Sequence, residues 1–129
     1  MSENGINSKN DFSLFEKIMN LSDDSMIMDE TCILHQSVML LSDKWTLLIL
    51  LSLMQGDKRT SELLRQIEGI SPKMLTQTLK KLLEANLINR KVFPVVPPKV
   101  EYSLTDTGRG LKVVLSTLYD WSVKRIGTT

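Results

Sequence analysis

The sequence contains few of the residues on which enzymes rely for catalysis. It has one cysteine, Cys32, and one histidine, His35, in 129 residues. A single cysteine excludes a disulfide framework within the chain, and a single histidine limits acid–base chemistry. No Ser-His-Asp arrangement, glycine-rich phosphate loop or paired-carboxylate motif is present, so we expect no enzymatic activity. Cys32 and His35 supply too few ligands for a structural zinc site, so we expect neither metal nor cofactor.

The sequence also lacks a long hydrophobic segment. Its longest apolar run, residues 45–54, is about half the ~20 residues needed to cross a bilayer and is interrupted by Thr46 and Ser52. The amino terminus has neither the basic start nor the apolar centre of a secretory signal, so we expect a cytoplasmic location. With 42% apolar and 24% charged residues, the composition is typical of one ordinary globular domain.

The net charge of +1 hides an uneven distribution along the chain. Residues 1–35 contain seven acidic residues and two lysines, a charge of −5, so the remaining residues carry +6. Residues 71–93 contain five basic residues and one glutamate, a charge of +4. A local basic surface can attract a phosphate backbone even when the whole protein is nearly neutral.

Apolar residues recur at helical spacing through the first part of the chain. Phe12 and Phe15 belong to a predicted short amphipathic helix that ends before residue 25. Two further helices are predicted over residues 31–41 and 44–54. The second of these is apolar on all sides, which indicates a central core helix.

The next segment predicts two short helices joined by a tight turn. Residues 61–68 form the first, with Ser61 as its N-cap, and Gly69 closes it. Ser71 followed by Pro72 is a strong helix start, because the proline ring presets φ and its missing N–H would have been unpaired anyway. The second helix then extends to about residue 86. This is the sequence form of a helix-turn-helix.

A β-hairpin is predicted directly after the helix-turn-helix. Residues 87–93 and 99–104 are rich in β-branched and aromatic residues, and the three prolines in the 94–98 loop forbid a helix there. A hairpin at this place is the wing of a winged helix. Thr105 then caps a last helix from residue 106 to about 125, and its apolar stripe is available for a second subunit. The stripe consists of Leu111, Val114, Leu115, Leu118 and Trp121.

These patterns predict a mainly α fold with a small β-hairpin: a winged helix-turn-helix, dimeric through its terminal helices. Residues 1–30 are an extension that we expect to join the dimer interface through Phe12 and Phe15. Residues 31–104 form the DNA-binding domain, and residues 105–129 form the dimerisation helix.

Four motifs in this order resemble the HxlR-type bacterial transcriptional regulators, relatives of the MarR winged-helix proteins. They are Lys44-Trp-Thr-Leu-Leu-Ile-Leu50, Gly69-Ile-Ser-Pro-Lys-Met-Leu-Thr76, Pro97-Pro-Lys-Val-Glu-Tyr-Ser-Leu-Thr105 and Gly108. The resemblance extends over residues 32–121. It implies a homodimer on a roughly palindromic operator, with the helix after Ser71-Pro72 in the major groove and the hairpin near the minor groove. Asp43 stands where the family usually has glycine.

The resemblance also draws attention to Cys32. Many members of the family carry a lone cysteine just before the Lys-Trp helix and use it to sense electrophiles or oxidants, and Cys32 matches that position. Sensing needs a stabilised thiolate. The neighbouring Asp29 and Glu30 disfavour the anion, whereas a helix start near Thr31 favours it. The alternative interpretation is a small buried apolar residue.

The residues expected to contact DNA lie on the helix after Ser71 and in the hairpin. On a helical wheel, Lys73, Gln77, Lys80 and Lys81 lie opposite the leucines that pack inward. Thr76 and Gln77 can hydrogen-bond base edges, and lysines suit phosphates. The complete set of candidates is Arg59, Ser71, Lys73, Thr76, Gln77, Lys80, Lys81, Arg90, Lys91 and Lys99.

Two other interpretations remain open from the sequence. A winged helix can also bind protein, in which case the basic helix face would meet an acidic partner. A regulator of this kind can also respond to a non-covalent small ligand. Arg90 and Lys91 are neighbours on a strand, so we expect them to point to opposite faces.

Overall fold

The computed structural model describes the backbone of residues 28–127 and the side chains of residues 33–127. The predicted helix around Phe12 and Phe15 lies outside these residues. The described residues form two compact units, one ending at Ser42 and one beginning at Asp43. Among the described residues, no single helix is long and apolar enough to span a bilayer; Ile33–Leu41 and Lys44–Met54 reach that length and hydropathy only when counted together.

The first unit contributes one described helix, α1 (Met28–Leu41). The sequence predicted its start at Thr31, which is three residues too late. Cys32 therefore lies in the second turn of α1 rather than at its first residues.

The second unit is built around helix α2 (Lys44–Met54), as predicted. Asp43 is its N-cap and accepts a hydrogen bond from the Trp45 N–H at 3.2 Å. The helix ends at Met54 with Gln55 as its C-cap, and Gly56 follows with φ of 150°, a conformation that suits glycine. Ile49 and Leu50 are completely buried, which confirms α2 as the central core helix.

The helix-turn-helix consists of α3 (Thr60–Gln66) and α4 (Pro72–Glu84). The prediction of Ser61 as the N-cap of α3 was wrong, because the helix already begins at Thr60 with Arg59 in the cap position. Glu62 satisfies that end of the helix by accepting a hydrogen bond from the Arg59 N–H at 2.8 Å. Gly69 has φ of 89° in the turn, as its predicted role in ending α3 requires.

The wing is part of a three-stranded antiparallel sheet with the order β1-β3-β2. The hairpin strands β2 (Ile88–Phe93) and β3 (Lys99–Leu104) confirm the prediction. Strand β1 (Lys58–Arg59) was not predicted, because two residues carry no periodicity, and its extended form depends on pairing with β3.

Hydrogen bonds join the base of the wing to the end of α4. The Thr105 hydroxyl donates to the carbonyl of Asn86 at 2.8 Å, and the Thr105 N–H donates to the carbonyl of Leu87 at 3.0 Å. The same hydroxyl oxygen accepts from the Gly108 N–H at 2.9 Å, which caps the helix that follows. Thr105 therefore ties the end of α4, the wing and the C-terminal region together.

The C-terminal region is two helices rather than the single helix predicted. Helix α5 (Asp106–Arg109) is one turn, and α6 (Leu111–Ile126) follows after Gly110. Gly108 in α5 is buried against the wing, where an added Cβ would collide with the carbonyl oxygen of Leu87. This close approach holds α5 beside the start of β2.

The core of the second unit lies between α2, α3, α4 and the inner sheet face. Its buried apolar residues are Ile49, Leu50, Leu53, Leu63, Ile67, Ile70, Leu75, Leu79, Leu82, Leu87, Ile88, Tyr102 and Leu104. No residue of α6 belongs to this core.

Candidate nucleic-acid interface

The start of α4 is fixed by the Ser71-Pro72 step, as predicted. Ser71 has extended backbone angles, and its Oγ accepts a hydrogen bond from the Met74 N–H at 3.0 Å. Pro72 occupies the first helical position, where no N–H is needed. The Ser71 cap and Pro72 thus stabilise the amino-terminal end of α4.

Helix α4 has one face in the core and one face in solvent. Leu75, Leu79 and Leu82 are buried. Thr78 is buried with them, although the helical wheel did not assign it to the buried face. Its hydroxyl donates to the Met74 carbonyl at 2.8 Å, so this buried polar group has a hydrogen-bond partner. The opposite side carries the exposed residues Ser71, Lys73, Thr76, Gln77 and Lys80.

The polar side chains on this face are available to a ligand. Within residues 33–127, no hydrogen bond or ion pair engages the side chains of Lys73, Gln77 or Lys80. An amide between two ammonium groups combines a base-reading group with phosphate-binding groups. We call this surface, Lys73, Thr76, Gln77 and Lys80, the reading face.

Lys81 lies at the side of α4 rather than on the reading face. It is half-buried, and its Nζ is 3.5 Å from the Oδ2 of Asp43. The same carboxylate caps α2, since its oxygens accept from the Trp45 N–H and, at 3.4 Å, from the Thr46 hydroxyl. Lys81 therefore connects α4 to the start of α2.

The strand register separates the two basic residues of β2, as expected for neighbours. Arg90 is opposite Tyr102, on the sheet face that contains Ile88 and Leu104 in the core. Lys91 is opposite Glu101 on the other face. Both Arg90 and Lys91 are exposed.

The outer face of the sheet collects cations from all three strands. Glu101 is in register with Arg59 on β1 and with Lys91 on β2. Lys99 pairs with Glu101 at 3.2 Å. The Nζ atoms of Lys91 and Lys99 lie 4.9 and 4.8 Å from the centroid of the Phe93 ring, within cation–π range. Phe93 and Glu101 thus order two lysines that were candidates from the sequence.

The backbone N–H of Arg59 donates a hydrogen bond to the Glu62 carboxylate, whereas the Arg59 side chain is exposed. The hydrogen bond from the Arg59 N–H, together with nearby positive charges, lowers the pKa of the Glu62 carboxyl from its usual 4.5. The Glu62 carboxylate therefore stays ionised beside the first turn of α3, where negative charge is favourable.

Three residues of this region were missed from the sequence: Asp43, Phe93 and Glu101. Strand alternation could have placed Phe93 and Glu101 on the face of Lys91 and Lys99. The contact of Asp43 with Lys81 joins residues far apart in the chain, and no local pattern indicates it.

Helix α6 carries an apolar stripe that the second unit covers only in part. Val114, Leu118 and Trp121 are 52%, 50% and 58% exposed, and Leu111 and Leu115 are half-buried. A large exposed apolar surface on a helix marks a surface for contact with another molecule.

Two other site predictions concern chemistry rather than DNA. Among the side chains of residues 33–127, no group of three potential ligands could hold a metal ion. Cys32 falls within α1, but its side chain lies outside the described residues.

The combination of the reading face, the preceding helix α3 and the following wing has a counterpart in known proteins. The model of the HxlR-like helix-turn-helix family matches residues 40–128. The chain belongs to this family. It is a DNA-binding transcriptional regulator of the helix-turn-helix type, as the sequence motifs indicated.

One relative of this HxlR-like chain is the HTH-type transcriptional regulator YkvN of Bacillus subtilis (strain 168). The two are 53% identical over 78 residues, which cover 60% of this chain and 66% of YkvN. The match thus spans slightly less than two thirds of the relative.

Two solved structures resemble the fold of this HxlR-like chain. A regulator of the MarR family from Enterococcus faecalis V583 matches with a TM-score of 0.71 at 33% identity, covering 81% of this chain and 94% of that one. The redox regulator HypR in its reduced form matches with a TM-score of 0.68 at 31% identity, covering 73% and 93%. The predicted winged-helix fold is confirmed.

Proposed function

We propose that this protein is a cytoplasmic homodimeric regulator that binds a roughly palindromic operator. The reading face of α4 enters the major groove, and the wing lies near the minor groove. The observation that carries this proposal is that Lys73, Gln77 and Lys80 share one exposed face whose side chains have no partner among residues 33–127.

A dimer places the two copies of α4 about 34 Å apart, one turn of DNA, which accounts for an operator with twofold symmetry. The exposed stripe on α6 supports this arrangement, because none of its side chains is fully buried within its own unit. Phe12 and Phe15 complete the proposed interface.

The test is fluorescence anisotropy with duplex DNA of random sequence over a range of salt concentrations. We expect binding that weakens steeply with salt, because lysines release condensed counterions. The double variant Lys73→Ala/Lys80→Ala should lose most of this binding. The control, Lys112→Ala/Lys124→Ala, removes the same charge from α6 and should bind as the unmodified protein does.

Equal losses in the two double variants would show that net charge alone drives binding and would contradict a role for the reading face. No binding to any duplex would favour the alternative in which the winged helix binds an acidic protein partner. Selection of bound sites from random DNA then gives the operator and tests its symmetry.

For control of the regulator, we propose that electrophiles or oxidants modify Cys32, change the dimer geometry and release DNA. The likeness to the redox regulator HypR supports this proposal. In a gel-shift assay, oxidant should release the operator from the unmodified protein and leave Cys32→Ser bound. Release from Cys32→Ser as well would exclude Cys32 as the sensor and would favour a non-covalent ligand.

A further inference from the structure

A cleft of about 300 Å³ lies away from the reading face, between the end of α2, the end of β3 and the α5–α6 junction. Its floor is apolar: Leu53 and Leu104 are buried and Met54 is half-buried. Its rim is charged and exposed, formed by Asp57, Arg109 and Lys112. An apolar floor with a few convergent polar groups is the usual composition of a small-molecule site.

The charges on the rim are of both signs. Arg109 is held in place, since it donates to the Leu104 carbonyl at 3.0 Å and pairs with Asp106. Within residues 33–127, neither the Asp57 side chain nor the Lys112 side chain has an ion pair or hydrogen bond, and the two do not pair with each other. The cleft therefore presents one unpaired carboxylate and one unpaired ammonium group beside a fixed guanidinium.

We infer that the cleft binds a small zwitterion with an apolar side chain, of the class of the free aliphatic amino acids. The ligand's ammonium group pairs with Asp57, and its carboxylate pairs with Lys112 beside Arg109. Its side chain covers Leu53 and Leu104. A volume of about 300 Å³ is at the lower end for ligand sites, which suits a molecule of this size.

The dimer proposed above leaves Lys112, on the rim of the cleft, accessible. At 100° per residue, Lys112 lies on the side of α6 opposite Val114 and Trp121, so pairing through the apolar stripe leaves it accessible. A ligand there contacts the body of the second unit and α6 together, and so can change how α6 is presented to a partner. The inference of binding does not depend on the proposed function.

Methyl NMR spectroscopy of the full chain, without DNA, tests this inference with three probes. L-leucine carries both charges, isocaproate lacks the ammonium group and isoamylamine lacks the carboxylate. We expect saturable shifts of the Leu53 and Leu104 methyl signals, with leucine binding about fivefold more tightly than either analogue, as the loss of one exposed ion pair implies.

Two variants assign the charges. Asp57→Asn should weaken the binding of leucine about fivefold and leave the binding of isocaproate unchanged. Lys112→Gln should weaken the binding of leucine and isocaproate but not that of isoamylamine. Lys124→Gln, farther along α6, is the control and should leave the affinities for all three probes unchanged. The inference is overturned if leucine gives no saturable shift up to its solubility limit, if isocaproate binds as well as leucine, or if the variants affect all probes alike.

Discussion

At the scale of single residues, stability depends on side chains that close the ends of helices. Ser71 accepts the Met74 N–H, whereas Ser61 lies inside α3 and caps nothing. We expect Ser71→Ala to lower the free energy of unfolding by about 1 kcal/mol. The matched change Ser61→Ala should be nearly neutral. Urea denaturation followed by circular dichroism measures both, and equal losses would contradict the assignment of the caps.

Gly108 is a second residue whose identity the fold requires. An added Cβ would collide with the Leu87 carbonyl and press on Leu104, 3.3 Å away. We expect Gly108→Ala to destabilise the protein by about 2 kcal/mol or more, as overpacking does. Gly110→Ala is the control, because Gly110 has helical backbone angles and an added Cβ would lie 3.2 and 3.9 Å from the carbonyl oxygens of Thr107 and Asp106, without a collision. Thermal unfolding should separate the two variants clearly.

The pKa of Glu62 predicts a dependence of stability on pH. Because the pKa of its carboxyl is lowered in the folded protein, its ionised form stabilises the fold above pH 4.5, and this contribution disappears as the pH falls through the lowered value. Glu62→Gln keeps an acceptor but removes the charge. The stability difference between this variant and the unmodified protein should be smaller at about pH 3 than at about pH 7. Urea midpoints at both pH values measure it, and a constant difference would contradict the prediction.

At the scale of elements, α4 separates the lysines that we propose contact DNA from Lys81, which connects α4 to the start of α2. Lys80 is free within the described residues, whereas Lys81 is paired with Asp43. We expect Lys80→Ala to reduce the slope of log K against log salt by about 0.9, the value for one lost phosphate contact. Lys81→Ala should leave the slope nearly unchanged. Anisotropy titrations with one fixed duplex measure both slopes, and the reverse result would place Lys81 on the DNA.

The elements predicted correctly are those whose signals are local. Ser71-Pro72 identifies the start of α4, and the prolines of residues 94–98 identify the loop of the wing. Strand β1 and the break at Gly110 were missed because each depends on contacts with other elements: β1 pairs with β3, and α5 packs against the start of β2. The same reason explains why the sequence placed Lys81 among the DNA contacts, since its ion-pair partner Asp43 lies 38 positions earlier in the sequence.

At the scale of the whole molecule, the proposed dimer depends on the exposed stripe of α6. Because no residue of α6 is buried within its own unit, Leu118→Glu should leave the fold intact while separating the subunits. Tyr119→Glu is the control, since Tyr119 is also exposed but lies away from Val114 and Trp121 on the helix. We expect sedimentation velocity to give a monomer for Leu118→Glu and a dimer for Tyr119→Glu. A dimer in both cases would place the interface elsewhere.

The hydrogen bonds of Thr105 limit the motions available to this regulator. They fasten the base of the wing to the end of α4 at two consecutive carbonyls, those of Asn86 and Leu87. A swing of the wing about a hinge at this point would break them, so we expect the wing and α4 to move as one rigid body. In the dimer proposed above, we expect a signal that frees the operator to shift this body as a whole, by changing the spacing between the two copies rather than the shape of either one.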